Sequence, residues 1–175
     1  MSIDMYEDSH CLSDVFNKIR NFHISFNHPA PTTVTQLDPD RKLARATWMK
    51  EEIDEFLQSS TIHMDMDAMI DLLYFVIGTT VEMGIDPSVI FDIVHNANMT
   101  KLFPDGKPHY NELNKVIKPA GWKEPDNDIK NYIEGLIDRD DKQLTLLLED
   151  DLSRVIGDRI VDEDTFENDS IVEGE

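Results

Sequence analysis

Apolar residues recur along this chain at helical spacing, and no stretch alternates as a strand does. Leu12, Val15, Phe16, Ile19, Phe22 and Phe26 form a first stripe, with Ser13 placed as its N-cap. Pro29 and Pro31 end it, since neither can continue a helix. Asp38-Pro39 then supplies an N-cap followed by proline at the first helical position. Leu43, Ala46, Met49, Ile53, Phe56 and Leu57 carry a second helix to about Gln58. A polar break over 59–63 is short enough to join antiparallel neighbours. The third helix is expected over about Asp65 to Met83, stopped by Gly84. Its middle, Leu72 to Ile77, is nearly all apolar and predicts deep burial, while Met64, Met66 and Met69 read as core filler. Asp86-Pro87 repeats the start signal, and Val89, Ile90, Ile93, Val94 and Ala97 carry a fourth helix to about Leu102.

Beyond Phe103 the pattern breaks. Residues 104–125 hold four of the eight prolines and four lysines, which predicts an ordered, irregular loop. Asp126 to Ile137 and Asp140 to Ile156 can each form a helix, the second striped by Leu144, Leu147, Leu148, Leu152, Val155 and Ile156. Residues 160–175 are acidic and aperiodic, the pattern of a mobile tail. The expected class is all-α, an antiparallel helical bundle. It divides into a catalytic bundle with its Pro/Lys-rich loop over 1–125, a helical extension over 126–159 and an acidic tail over 160–175.

Charge narrows the function classes. There are 36 acidic against 16 basic residues, a formal net charge of −20, and residues 126–175 alone carry 17 acids against 5 bases. Nonspecific nucleic-acid binding and anionic membranes both call for a basic surface. No stretch is apolar enough to span a bilayer, and Met1 to Asp8 lacks the regions of a signal peptide, so a cytoplasmic protein is expected. Cys11 is the lone cysteine, which excludes an intrachain disulfide and a Cys-rich zinc site.

The chemistry lies in two acidic clusters, Glu51-Glu52-x-x-Glu55 and Asp67-x-x-x-Asp71. Spacings of three and four stack side chains on one helix face. A short connection between the two helices brings the clusters face to face. Single pairs of this kind usually lie on solvated surfaces, but these are flanked by Ile53, Phe56, Ile70, Leu72 and Leu73. A wall of carboxylates in apolar surroundings is costly unless a cation sits in it, and oxygen-only ligands suit Mg²⁺, with Mn²⁺ as a substitute. Mg²⁺ held by carboxylates points to a phosphate substrate.

The order EExxE, a second acidic pair, then His95-Asn-Ala-Asn98-Met-Thr-Lys101 resembles the MazG-like all-α nucleoside triphosphate pyrophosphohydrolases. Leu72 to Thr79 and Lys118-Pro-Ala-Gly-Trp122 are similar to the phosphoribosyl-ATP pyrophosphohydrolase-like subgroup, which is related to the dimeric dUTPases. The resemblance spans about residues 12–125. It implies Mg²⁺-dependent hydrolysis of a nucleoside triphosphate between the α and β phosphorus, in a homodimer or dimer of dimers. By the same resemblance Glu52, Glu55, Asp71 and Asp67 hold metal, and Glu51 or Glu52 activates water. Lys101 stabilises the leaving group, and Asn98, Lys101, Lys115 and Lys118 meet phosphate. The family's second motif is Glu-x-x-Asp, whereas Ala68 stands three residues before Asp71. Asp67 and Asp71 differ by only about 40° around a helix, so Asp67 is the expected substitute. His95 reads as a packed or supporting histidine, Lys107 as a phosphate-closing or solvated charge, and Trp48 as a core residue or a base-stacking one. The competing class is an acidic binding protein without catalysis, engaging a basic partner.

Overall fold

The computed structural model describes the backbone of residues 11–163 and the side chains up to Asp150. Five helices occupy the described residues: α1 (Leu12–Ser25), α2 (Pro39–Gln58), α3 (Ile62–Glu82), α4 (Ser88–Met99) and α5 (Asp126–Glu163). None is long and apolar enough to cross a membrane. The chain divides into a unit up to Glu134 and a second from Gly135.

Local chemistry sets the helix ends. The Asp38 carboxylate accepts from the Arg41 N–H at 2.8 Å and Pro39 opens α2. Asp86 plays the same part before α4, accepting from the Ser88 N–H at 2.9 Å and the Ser88 hydroxyl at 2.6 Å. Burial pushes the Asp86 carboxyl up, but the hydrogen bonds from Ser88 and Ser13 outweigh it and hold the group below its ordinary range. Ser13 is not the cap of α1. The helix begins at Leu12 after Cys11, whose N–H donates to the Asp14 carboxylate at 3.2 Å, and the Ser13 hydroxyl instead pairs with that of Ser88 at 2.8 Å. Gly84 ends α3 at a φ of +68°, and a β-carbon there would fall 2.1 Å from the Thr33 carbonyl oxygen, so only glycine fits the turn. The third helix starts at Ile62, earlier than its apolar pattern suggests.

The core of the first unit is small. Phe16 and Ile19 of α1 meet Ile77 and Val81 of α3, with Leu12, Val15 and Ala30 packed against them. α2 packs antiparallel on α3, and α1 packs on α3. Within Leu72–Ile77 only Ile77 is buried, and Met64 and Met66 are exposed. The expectation of deep burial there is corrected: two helices, α1 and α2, do not cover every side of the apolar α3. Ile62 (79% exposed), Met66, Ile70 and Leu73 (43%) line an uncovered stripe at spacings of three and four.

Residues 100–125 are irregular but tied. The Phe103 N–H donates to the Lys107 carbonyl at 3.0 Å, and Tyr110 and Val116 form an isolated antiparallel bridge. Beyond them the two expected C-terminal helices are one continuous helix, because Asp138 to Asp141 contains no breaker and good helix formers surround it. The backbone helix runs past the expected tail boundary to Glu163, and 164–175 lie outside the described residues. In the second unit Leu144, Leu147 and Leu148 are exposed.

Candidate functional site

The α2–α3 hairpin is a ladder of cross-helix pairs. At its base, Glu82 is 1% exposed and buried among cations. Arg41 donates to it through Nε at 2.7 Å and Nη2 at 2.5 Å, and Arg45 adds Nη1 at 3.4 Å. Arg45 also donates to the Thr79 hydroxyl at 3.0 Å and the Phe75 carbonyl at 2.5 Å. The bond to Glu82 raises the pKa of Arg41, whereas burial lowers that of Arg45. Gly78 makes room for this arrangement: a β-carbon there would stand 2.5 Å from Arg45 Nη2 and 3.0 Å from His23 Nε2.

The next rung is aromatic. The Trp48 and Phe75 ring centroids lie 5.9 Å apart, and the guanidiniums of Arg41 and Arg45 sit 5.1 and 5.5 Å from the Trp48 ring. The end of α1 closes this face. Phe22 meets Tyr74 edge to face at 5.5 Å, and His23 donates from Nδ1 to the Pro29 carbonyl at 2.9 Å. Burial holds His23 below its ordinary pKa, so the ring is neutral with Nε2 unprotonated. Burial likewise raises the Tyr74 phenol. Together these residues line an apolar cavity of about 290 Å³. Trp48 is thus half-buried in a cavity wall, and the reading of it as a core residue is corrected.

One turn further along both helices the ladder becomes acidic. Glu52 is half-buried, and its Oε2 is buried without a hydrogen-bond partner. Burial raises its pKa, and the charges of Glu55, Asp71, Glu51 and Asp67 raise it further. Glu52 thus stands among the other four predicted carboxylates, all of them exposed. Continuing the same register sets Ala68, buried at 4%, opposite Glu55. The last rung is a hydrogen bond from the Ser59 hydroxyl to Asp65. Among the described residues no three ligating groups close around a single point. An orphaned buried oxygen in an all-oxygen donor set fits a hard divalent cation.

The predicted phosphate-binding residues lie elsewhere in the first unit. Asn98 and Lys101 are at the end of α4, which packs extensively on none of α1–α3. Lys101 donates to Asn98 Oδ1 at 2.6 Å and lies over Trp122, as does Lys118. Lys115 is exposed in the neighbouring turn, and His95 is exposed and stacked parallel to Phe91. Sequence reading missed Arg41, Arg45 and Glu82. The signal available was an acid near the end of the least polar helix and two arginines one turn apart.

The profile of the phosphoribosyl-ATP pyrophosphohydrolase family (PRA-PH) matches residues 19–98, which span the second half of α1, all of α2 and α3, and most of α4. No curated protein matches. A protein from Exiguobacterium sp. 255-15, provisionally assigned as an NTP pyrophosphohydrolase and solved at 1.78 Å, is 30% identical. The alignment covers 73% of this chain and 96% of that one, with a TM-score of 0.38. On that identity and that coverage, the chain belongs to the phosphoribosyl-ATP pyrophosphohydrolase family of MazG-like all-α NTP pyrophosphohydrolases.

Proposed function

We propose that this protein hydrolyses a nucleoside triphosphate at the bond between the α phosphorus and its bridging oxygen, releasing a monophosphate and pyrophosphate. One observation supports this above all: the unpartnered, buried Glu52 Oε2 stands among four other carboxylates one helical turn from an aromatic cavity. Glu52, Glu55 and Asp71 would hold Mg²⁺, with Asp67 replacing the acid missing at Ala68. When bound, Mg²⁺ neutralises phosphate charge and makes water a better nucleophile at neutral pH.

The chain's own residues carry the remaining steps. Trp48, Phe75, Tyr74 and Phe22 take the base, a planar ring that stacks on aromatic faces. Glu51 or Glu52 accepts the proton of the attacking water on a carboxylate oxygen. The bridging oxygen leaves on the pyrophosphate, whose charge Lys101 meets. The subunit works as a homodimer or dimer of dimers, in which the stripe of Ile62, Met66, Ile70 and Leu73 is covered by another copy.

The test is a panel of nucleoside triphosphates scored for pyrophosphate release with Mg²⁺ and with Mn²⁺. Release from at least one, lost in Glu55→Gln with helicity retained, is expected. Full activity in that variant overturns the assignment.

A further inference from the structure

The polar atoms of the aromatic cavity are not a random set. Arg41, Arg45 and His23 line it beside the rings. Arg45 spends three of its five N–H groups, on Thr79, Glu82 and the Phe75 carbonyl. Arg41 spends two, both on Glu82. Each guanidinium therefore keeps N–H groups for a ligand. The two share one buried carboxylate, which leaves an uncompensated positive charge at the cavity wall.

His23 supplies the opposite function. A carbonyl can only accept, so the bond to Pro29 puts the ring proton on Nδ1. The neighbouring Arg45 guanidinium disfavours a second proton, which leaves Nε2 as an acceptor. Among the described residues no hydrogen bond is made to that nitrogen. Gly78 brings the pair together: one point, the place of a missing β-carbon, lies 2.5 Å from Arg45 Nη2 and 3.0 Å from His23 Nε2. A donor and an acceptor thus stand side by side in an apolar cavity.

We propose that this cavity selects bases with a lactam edge, a carbonyl next to a ring N–H, as in hypoxanthine, guanine, uracil and thymine. The guanidiniums donate to the carbonyl, and His23 Nε2 accepts from the ring N–H. Adenine and cytosine carry the reverse edge, an amino donor next to a bare ring nitrogen. They would set N–H against guanidinium and nitrogen lone pair against Nε2. The uncompensated positive charge works in the same sense, since it attracts a carbonyl oxygen and repels amino protons. His23, Arg41 and Arg45 are then the specificity-determining residues. The proposal rests on the reading of this cavity as the seat of the base.

The test changes the ligand, so that the fold is untouched. Uncharged nucleosides are titrated into the full chain in EDTA, and the indole N–H resonance of Trp48 is followed by NMR with that of Trp122 as the internal control. Inosine and adenosine differ at the lactam edge alone, and 3-methyluridine replaces the ring N–H of uridine by a methyl group. Inosine should bind at least about tenfold tighter than adenosine, and uridine at least about tenfold tighter than 3-methyluridine, because the wrong edge leaves buried polar groups unpaired. His23→Gln ends in an amide that can turn either atom to the base. With the parent's helicity, it should bring inosine and adenosine within about threefold of each other. Equal binding of either nucleoside pair, or full discrimination kept in a folded His23→Gln, overturns the proposal. A Trp48 signal unmoved by every nucleoside overturns it together with the base cavity. Discrimination by the parent while no nucleoside triphosphate is hydrolysed supports the proposal and counts against the catalytic reading alone.

Discussion

Arg41 meets Glu82 with two hydrogen bonds, 2.7 and 2.5 Å, and the carboxylate they hold is almost wholly buried. This pair closes the hairpin at the end opposite the acidic cluster. Removing one partner leaves buried charge uncompensated. Glu82→Gln should therefore destabilise the protein by about 3–5 kcal/mol in urea denaturation. Gly78→Ala, which drives a methyl into the Arg45 guanidinium, should cost about 1–3 kcal/mol. Unchanged stability in both would show that this ion cluster does not brace the hairpin.

Glu52 titrates in the opposite sense from a stabilising carboxylate. Its folded pKa is raised, so its contribution to stability is fully present below the ordinary carboxylate pKa and is lost as pH rises through the raised value. At neutral pH the ionised group costs stability until a cation offsets it. In EDTA at pH 7.5 or so, Glu52→Gln should melt above the parent protein; in millimolar Mg²⁺ the order should reverse. Differential scanning fluorimetry reads both. A parent Tm indifferent to Mg²⁺ would remove the metal from this cluster.

Ala68 tests the departure from the family motif. It is buried, and its register sets it opposite Glu55. A glutamate there adds a fifth charge to those already around Glu52. Ala68→Glu should lower the metal-free Tm yet show a larger Mg²⁺-induced rise than the parent. Asp67→Asn should raise the Mg²⁺ concentration needed for half-maximal hydrolysis. An Asp67→Asn protein with the parent's metal dependence would reduce Asp67 to a surface charge.

The base cavity predicts a kinetic split. Trp48→Ala removes one aromatic wall without touching a carboxylate. It should raise KM for the preferred nucleotide by roughly tenfold, corresponding to about 1.4 kcal/mol of stacking, with kcat changed less. An unaltered KM would place the base elsewhere.

Leu73 and Ile70 lie on the uncovered stripe of α3. Leu73→Asp should shift sedimentation velocity from the oligomer to the monomer, because one charge in an apolar interface is costly. A parent protein already monomeric at tens of micromolar would contradict the homo-oligomer.

What could be read from the sequence was local. Asp38-Pro39 and Gly84 announce α2 and the end of α3 because their capping chemistry acts within a few residues. The acidic clusters were legible because their spacing matches one helix face. The Arg41–Glu82 pair was not, since its partners are 41 residues apart and only the hairpin register joins them. Leu72 to Ile77 misled for a related reason: an apolar run says that a surface seeks cover without saying whether the same chain supplies it. The joining of Lys101 and Lys118 through Trp122 depends on a turn whose direction no periodicity encodes.

The spacing along the hairpin has one more consequence, a matter of length. Trp48 precedes Glu52 on α2, and Phe75 follows Asp71 on α3, each by one turn, so both helices set aromatic rung and acidic rung apart by about 5–6 Å. That is a fixed measure between where a base would stack and where a phosphate would be attacked. A nucleotide held by its base at the aromatic rung would present its first phosphorus at the carboxylates. The bond cut would then be set by distance from the base and not from the free end, so a diphosphate and a triphosphate of the same nucleoside would be opened at the same place.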